Sequence, residues 1–338
     1  MRSMMCPRRS DISATKIVRI GIAALGVMIA TSPAFAADGE FVKKTYVYKT
    51  VGETKIEADV HRANDKTARP VLVWIHGGAL ITGTRQSVPG QLLELAKTEG
   101  YAVVSIDYRL SPEVQAEAIK EDLLDAFRWI NEKGSKLFAA DTKKIVVSGG
   151  SAGGYLTMLA GCFVEPRPTA LVAYWGYGDV DGVWMTQATD FYGLEIPKID
   201  RADVISAVGG PVLTNTDGGP DVGRSRGMYY RYLRQKGLWA KTVIGADPAT
   251  EPEKFAPFCP IRNSPDDYPP ILMIHGMSDT DVPYEKSSFF AKELAKRGLP
   301  HELVTVPAAG HGLSGGDKEL IAAAHARALE FIREQMQR

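Results

Sequence analysis

The sequence predicts an α/β fold, a mostly parallel central sheet with helices on both faces, and three observations carry that expectation. Six short runs, "VLVWIH" from Val71, "YAVVSIDY" from Tyr101, "KIVVSG" from Lys144, "ALVAYWG" from Ala170, "ILMIHG" from Ile271 and "ELVTVP" from Glu302, are rich in β-formers and apolar on both faces. Such strands are stable only where helices cover both sides of the sheet, as in parallel sheets. Amphipathic stretches separate the runs. The chain has 338 residues, 45% of them hydrophobic and 24% charged, which is enough for a sizeable core in one large domain or two smaller ones.

At the N-terminus, Arg2, Arg8, Arg9, Lys16 and Arg19 precede the apolar run "IGIAALGVMIA", and Ala34-Phe35-Ala36 comes after it. A basic segment, a short apolar segment and a small-residue site predict a signal peptide over residues 1–36, cleaved near Ala37. The apolar run is short for a bilayer span, so the expected product is exported, periplasmic or secreted, without a stable membrane anchor. Next, "KTYVYKTV" and "TKIEADVH" alternate in the manner of an antiparallel pair added at one sheet edge. Glu113 to Lys133 repeats Ile119, Leu123, Phe127 and Ile130 at helical spacing. Asp317 to Gln337 does the same with Leu320, Ala324, Ala328 and Phe331.

Residues 37–338 are expected to form one domain, with 179–267 as a lid or cap insertion. That segment is rich in Gly, Pro, Asp and aromatics and has no strand pattern. Its aromatics, Trp184, Tyr192, Tyr229, Tyr230, Tyr232 and Trp239 among them, are expected to wall a substrate pocket. Its basic residues Arg224, Arg226, Arg231, Arg234 and Lys236 read as a solvated helical face, with an acidic substrate as the alternative. Lys+Arg and Asp+Glu are both 40, so the formal net charge is zero and gives no support to nucleic acid as a partner. Cys162 and Cys259 remain after signal removal; two separately buried thiols are the first expectation and a disulfide the second.

Chemistry is suggested by Gly149-Gly150-Ser151-Ala152-Gly153, a G-x-S-x-G pattern lying after "KIVVS" and before "YLTMLAGC". A serine at a strand-to-helix turn projects its hydroxyl out of the sheet, and glycines let neighbouring backbone crowd in. Neither G-x-G-x-x-G nor G-x-x-x-x-G-K-[ST] is present at this turn, so a nucleotide loop is disfavoured. A serine nucleophile needs a base and a group that orients the base. Of six histidines only His311 lies in a glycine-flanked loop after the last apolar strand. Asp279 and Asp281 come after "ILMIHG"; Asp279 is preferred as the orienting acid because it lies nearer the strand end, with a solvated turn or helix cap expected for Asp281. The bare loop "WIHGGAL" can present backbone amides of Gly78 and Ala79 to a developing oxyanion, and Ala152 supplies another. His76 is expected to prop that loop.

Together, "HGGAL", "DYRLSPE", "GGSAGG", "HGMSDTDVP" and "AGHGL" resemble the α/β-hydrolase superfamily, and within it the carboxylesterases related to hormone-sensitive lipase and the acetyl-esterase-like enzymes. The resemblance implies the α/β-hydrolase fold, with Ser151 as nucleophile, His311 and Asp279 as its partners, and Gly77, Gly78, Ala79 and Ala152 around the oxyanion. It implies structural roles for Asp107 and Arg109. Three features depart from the best-known pattern: Ala79 stands where a third glycine is usual, Gly150 where an aspartate is frequent, and "HGxSDxxVP" is also typical of prolyl-oligopeptidase-like peptidases. The expected function is a serine carboxylesterase acting on a small-molecule ester of short to medium acyl length, acylated carbohydrates included. A serine peptidase and a non-catalytic binding protein are the alternatives. No cofactor and no metal are expected, since no His/Cys/Asp cluster has ligand spacing.

Overall fold

The computed structural model describes residues 39–338. The expected signal segment and its Ala34-Phe35-Ala36 site lie outside the described residues. Eight strands form one sheet in the order β1-β2-β4-β3-β5-β6-β7-β8: β1 (Phe41–Val51), β2 (Thr54–Ala63), β3 (Arg69–Ile75), β4 (Ala102–Ile106), β5 (Ala140–Gly150), β6 (Ala170–Tyr174), β7 (Ile271–Gly276) and β8 (His301–Val306). Strands β3 to β8 pair in parallel, while β1 and β2 form the antiparallel edge addition, β2 lying antiparallel on β4. All six apolar runs therefore become the parallel strands.

Among the described residues ten α-helices accompany the strands: α1 (Gly90–Glu99), α2 (Ala116–Phe138), α3 (Ala152–Phe163), α4 (Val183–Thr186), α5 (Arg201–Val204), α6 (Pro220–Lys236), α7 (Trp239–Ile244), α8 (Pro260–Asn263), α9 (Glu285–Lys296) and α10 (Lys318–Gln337). The period-two geometry of a strand divides each run between two cores. Leu72 and Trp74 of β3 face one core with Leu92 of α1 and Phe331 of α10; Val71, Val73 and Ile75 face the other with Phe127 of α2, Leu156 of α3 and Phe290 of α9. Asp317 caps α10, its carboxylate accepting the N–H groups of Glu319 and Leu320. The segment 179–267 holds α4 to α8.

One topological fact positions the site. From β3 the chain crosses to β4 on one side, then returns to β5 on the other side of β3. Right-handed crossovers put the two connecting helices on opposite faces, and α1 and α2 do lie in opposite cores. The loops leaving β3 and β5 are thus neighbours with no helix between them, which opens a crevice at the carboxyl end of the sheet. The first of these loops is "HGGAL" and the second is the Ser151 turn.

Candidate active site

Ser151 sits between β5 and α3 with φ 57° and ψ −121°, a conformation that costs an L-residue of order 1–3 kcal/mol. Its N–H donates to the Tyr174 carbonyl at 2.9 Å, and its own carbonyl accepts from Tyr155 N–H at 2.9 Å, so strand β6 and the first turn of α3 fix the bend. The glycines answer a packing demand: a Cβ on Gly153 would run into the Ile75 carbonyl, and one on Gly77 would stand 2.7 Å from the Gly150 carbonyl oxygen. Only backbone without side chains lets β3 approach the turn so closely.

His311, in a short turn after β8, lies with Nε2 3.1 Å from Ser151 Oγ and Nδ1 2.8 Å from Asp279 Oδ2. The neutral ring that suits both contacts donates Nδ1–H to the carboxylate and accepts the serine proton at Nε2. Asp279 is buried at 7% exposure; its Oδ1 accepts the N–H groups of Asp281 and Val282, each at 2.9 Å. Burial alone would raise the Asp279 carboxyl, yet contacts from His275 and His311 hold it far below the ordinary range. The reverse balance acts on His311: burial lowers it, but the hydrogen bond to Asp279 and the charge of Asp281 outweigh burial and leave it above its ordinary value of 6.5.

The loop after β3 is held in an unusual shape. Gly78, Ala79 and Leu80 all have positive φ, 101°, 56° and 63°, and a Cβ on Gly78 would collide with Thr82. Among the described residues no acceptor is bonded to the N–H groups of Gly78, Ala79 or Ala152, and Ala152 is the first residue of α3, where amides point outward. The carbonyls of the loop are engaged instead: Ala79 accepts from Trp239 Nε1 at 2.9 Å, Leu80 from Ser111 N–H at 2.8 Å and Ile81 from Arg226 Nε at 2.6 Å. His76 stacks on Tyr108 at 4.3 Å between ring centres and its Nδ1–H donates to the Gly77 carbonyl at 2.8 Å, the propping role expected of it. Asp107 accepts from Arg85 and from Asn215 at 2.6 Å, and Arg109 pairs with Asp122 at 2.7 Å.

Residues 59–201 match the family model described as BD-FAE, and residues 227–338 that of the prolyl oligopeptidase family. Esterase LipC of Mycobacterium tuberculosis is 28% identical over 259 residues, covering 75% of this chain and 56% of that protein. Non-reducing polyketide synthase adrD of Penicillium rubens is 26% identical over 341 residues, covering 87% of this chain; the chain spans only 14% of that synthase's length. A solved α/β hydrolase superfamily protein from Enterococcus faecalis superposes with a TM-score of 0.66 at 20% identity, covering 87% of this chain and 99% of the other. The chain has the α/β-hydrolase fold.

Beside Ser151 the protein has a cavity of about 320 Å³, walled by Trp74, Tyr174, Trp175 and Leu92, with Ser87, Gln91 and His325 adding polar edges. The aromatic wall thus comes from the ends of β3 and β6 and from Trp175 directly after β6, where pocket aromatics had been expected from the insertion. The insertion acts elsewhere. Arg226 and Arg234, expected on a solvated face, are each 1% exposed, because each finds a carboxylate and backbone carbonyls inside the protein. Arg226 pairs with Glu113 at 2.8 Å and Arg234 with Asp281 at 2.8 Å; Arg224, Arg231 and Lys236 are at least partly exposed, as a solvated face requires. Asp281 is likewise not a solvated turn residue, for its Oδ2 lies 3.5 Å from His311 Nε2.

One neighbour escaped sequence reasoning. His275, fully buried at the end of β7, places Nε2 3.3 Å from Asp279 Oδ2 and 2.9 Å from the Val282 carbonyl, with Nδ1 2.7 Å from Ser287 Oγ. The available signal was a polar residue closing an apolar strand four positions before the acid. Both cysteines are buried free thiols, each pushed up to about 12 by burial. Among the described residues no group of three or more His, Cys, Asp or Glu could hold a metal ion, and no helix is long and apolar enough to cross a membrane.

Proposed function

We propose that this α/β-hydrolase is a serine carboxylesterase. The observation that carries the reading is the connected row Ser151 Oγ, His311 Nε2, His311 Nδ1 and Asp279 Oδ2, with steps of 3.1 and 2.8 Å. Ser151 Oγ attacks the ester carbonyl carbon as its proton passes to His311 Nε2; the carbonyl oxygen becomes anionic and is met by the unpaired amides of Gly78, Ala79 and Ala152, with Gly77 lining the same wall. Collapse breaks the bond to the alcohol oxygen, which leaves with the proton from Nε2. Water then attacks the acyl-enzyme, His311 again taking and returning a proton, and the acid departs. Asp279 holds the ring and stabilises the imidazolium throughout.

A cavity of about 320 Å³ supports short to medium acyl groups. Esters of polyols and acylated carbohydrates are within the proposed substrate class. The match to the prolyl oligopeptidase family over 227–338 favours a second reading, amide hydrolysis by the same residues. A panel of p-nitrophenyl esters of increasing acyl length, run beside chromogenic peptide amides with the wild type and Ser151→Ala, separates the two. Ester turnover that vanishes in Ser151→Ala is the expected result. Dominant amide turnover would move the assignment to a peptidase, and silence on both from folded wild type would sink the catalytic reading.

A further inference from the structure

Asp281 belongs to the site by position yet has no part in the relay from Ser151 to Asp279. Its Oδ1 accepts from three donors: Tyr192 Oη at 2.8 Å, Tyr230 Oη at 2.5 Å and Arg234 Nη1 at 2.8 Å. Arg234 also donates to the Asp281 backbone carbonyl at 3.1 Å, and its guanidinium lies over the Tyr192 ring at 4.5 Å. A carboxylate fastened through one oxygen by three donors cannot swing away, so its other oxygen is fixed as well. That oxygen stands 3.5 Å from His311 Nε2, the atom that receives the serine proton.

We infer that Asp281 is a positioning residue for the reaction proposed above: it faces the Nε2 edge of His311, remote from Asp279, and stabilises the imidazolium formed as Ser151 attacks. The inference rests on the serine-esterase reading. Before proton transfer a lone pair faces the carboxylate, and afterwards a cation does; only that change of interaction lowers the barrier. The groups facing His311 are Ser151 from the turn after β5, Asp279 and Asp281 from the loop after β7, and Arg234 of α6 beyond Asp281, whose charge opposes the two carboxylates. His275 reaches the site only through Asp279. Arg234 binds Oδ1, the oxygen away from His311, so at Nε2 its charge offsets that of Asp281 only in part, the Oδ2 atom being 3.5 Å away.

The test is the pH dependence of kcat/KM on a p-nitrophenyl ester, whose leaving group departs without a proton and so reports the base step alone. Asp281→Asn keeps the shape and removes the charge; the acid limb is expected to move down by about one pH unit, with a several-fold lower plateau. Tyr192→Phe removes a neutral donor and leaves the charge less dispersed, so its limb is expected to move up. Opposite shifts support the inference, and the second variant serves if the first fails to fold. An unmoved limb in folded variants would overturn it, even with a reduced plateau, because a purely structural anchor would lower the rate without touching the titration. Ser151→Ala is the control: if it retained wild-type turnover, the esterase reading would fall, whereas an unmoved limb with turnover still dependent on Ser151 overturns only the role of Asp281.

Discussion

At the scale of single residues, His311 carries the clearest expectation. Its imidazole is held above 6.5 because two carboxylates outweigh its burial, and the proposed reaction needs it neutral. Since a raised value keeps the proton on to higher pH, kcat/KM should climb with a midpoint above 6.5, and a midpoint below that value would contradict the geometry. Ser151 and His311 were legible from local pattern, a glycine-flanked serine at a strand-to-helix turn and a glycine-flanked histidine after the last strand. Asp279 was legible from its distance to a strand end. The surroundings of Asp281 were not, because Tyr192, Tyr230 and Arg234 reach it from 47 to 89 positions away in the chain, and no periodicity encodes such a meeting.

At the scale of elements, the six apolar runs named all the parallel strands, since burial on both faces leaves an unmistakable composition. The insertion was the reverse case. Its Gly- and Pro-rich text announced irregular structure but not direction, so Trp239 and Arg226 gave no sign that they would bond carbonyls of the loop after β3. Trp239→Phe keeps one aromatic ring in place of the larger indole and deletes one buried hydrogen bond to the Ala79 carbonyl, the bond alone being worth about 1 kcal/mol. If that loop supplies oxyanion donors, kcat should fall about fivefold with KM little changed; an equal rise in KM would indicate damage to ground-state binding instead. Arg226→Ala strands the Glu113 carboxylate inside the protein and frees the Ser111 and Ile81 carbonyls. It should destabilise by about 3 kcal/mol or more in chemical denaturation.

At the scale of the whole molecule, the reversal of strand order around β3 is what brings the two loops together, and it is readable only once strand pairing is known. The sequence shows the strands and their succession; it does not show that β4 and β5 flank β3. The exported character proposed from residues 1–36 has its own check. Expressed in full in a bacterium with secretion intact, the protein should be recovered with an N-terminus near Ala37 by intact mass, and recovery of the full-length form alone would contradict cleavage.

The grip of residues 179–267 on both the loop after β3 and the surroundings of His311 has a consequence for heat. Regions of a protein open with different free energies, and this segment, although Trp184, Leu233, Trp239 and Val243 seat it on the apolar core, has no strand ladder and holds the site through a handful of polar anchors. Thermal inactivation should therefore run ahead of global melting: amides of α6 and α7 should lose hydrogen-exchange protection, and turnover should fade, at temperatures where the eight strands remain protected. Activity and sheet protection lost in one step would mean that the insertion and the sheet share a single cooperative unit.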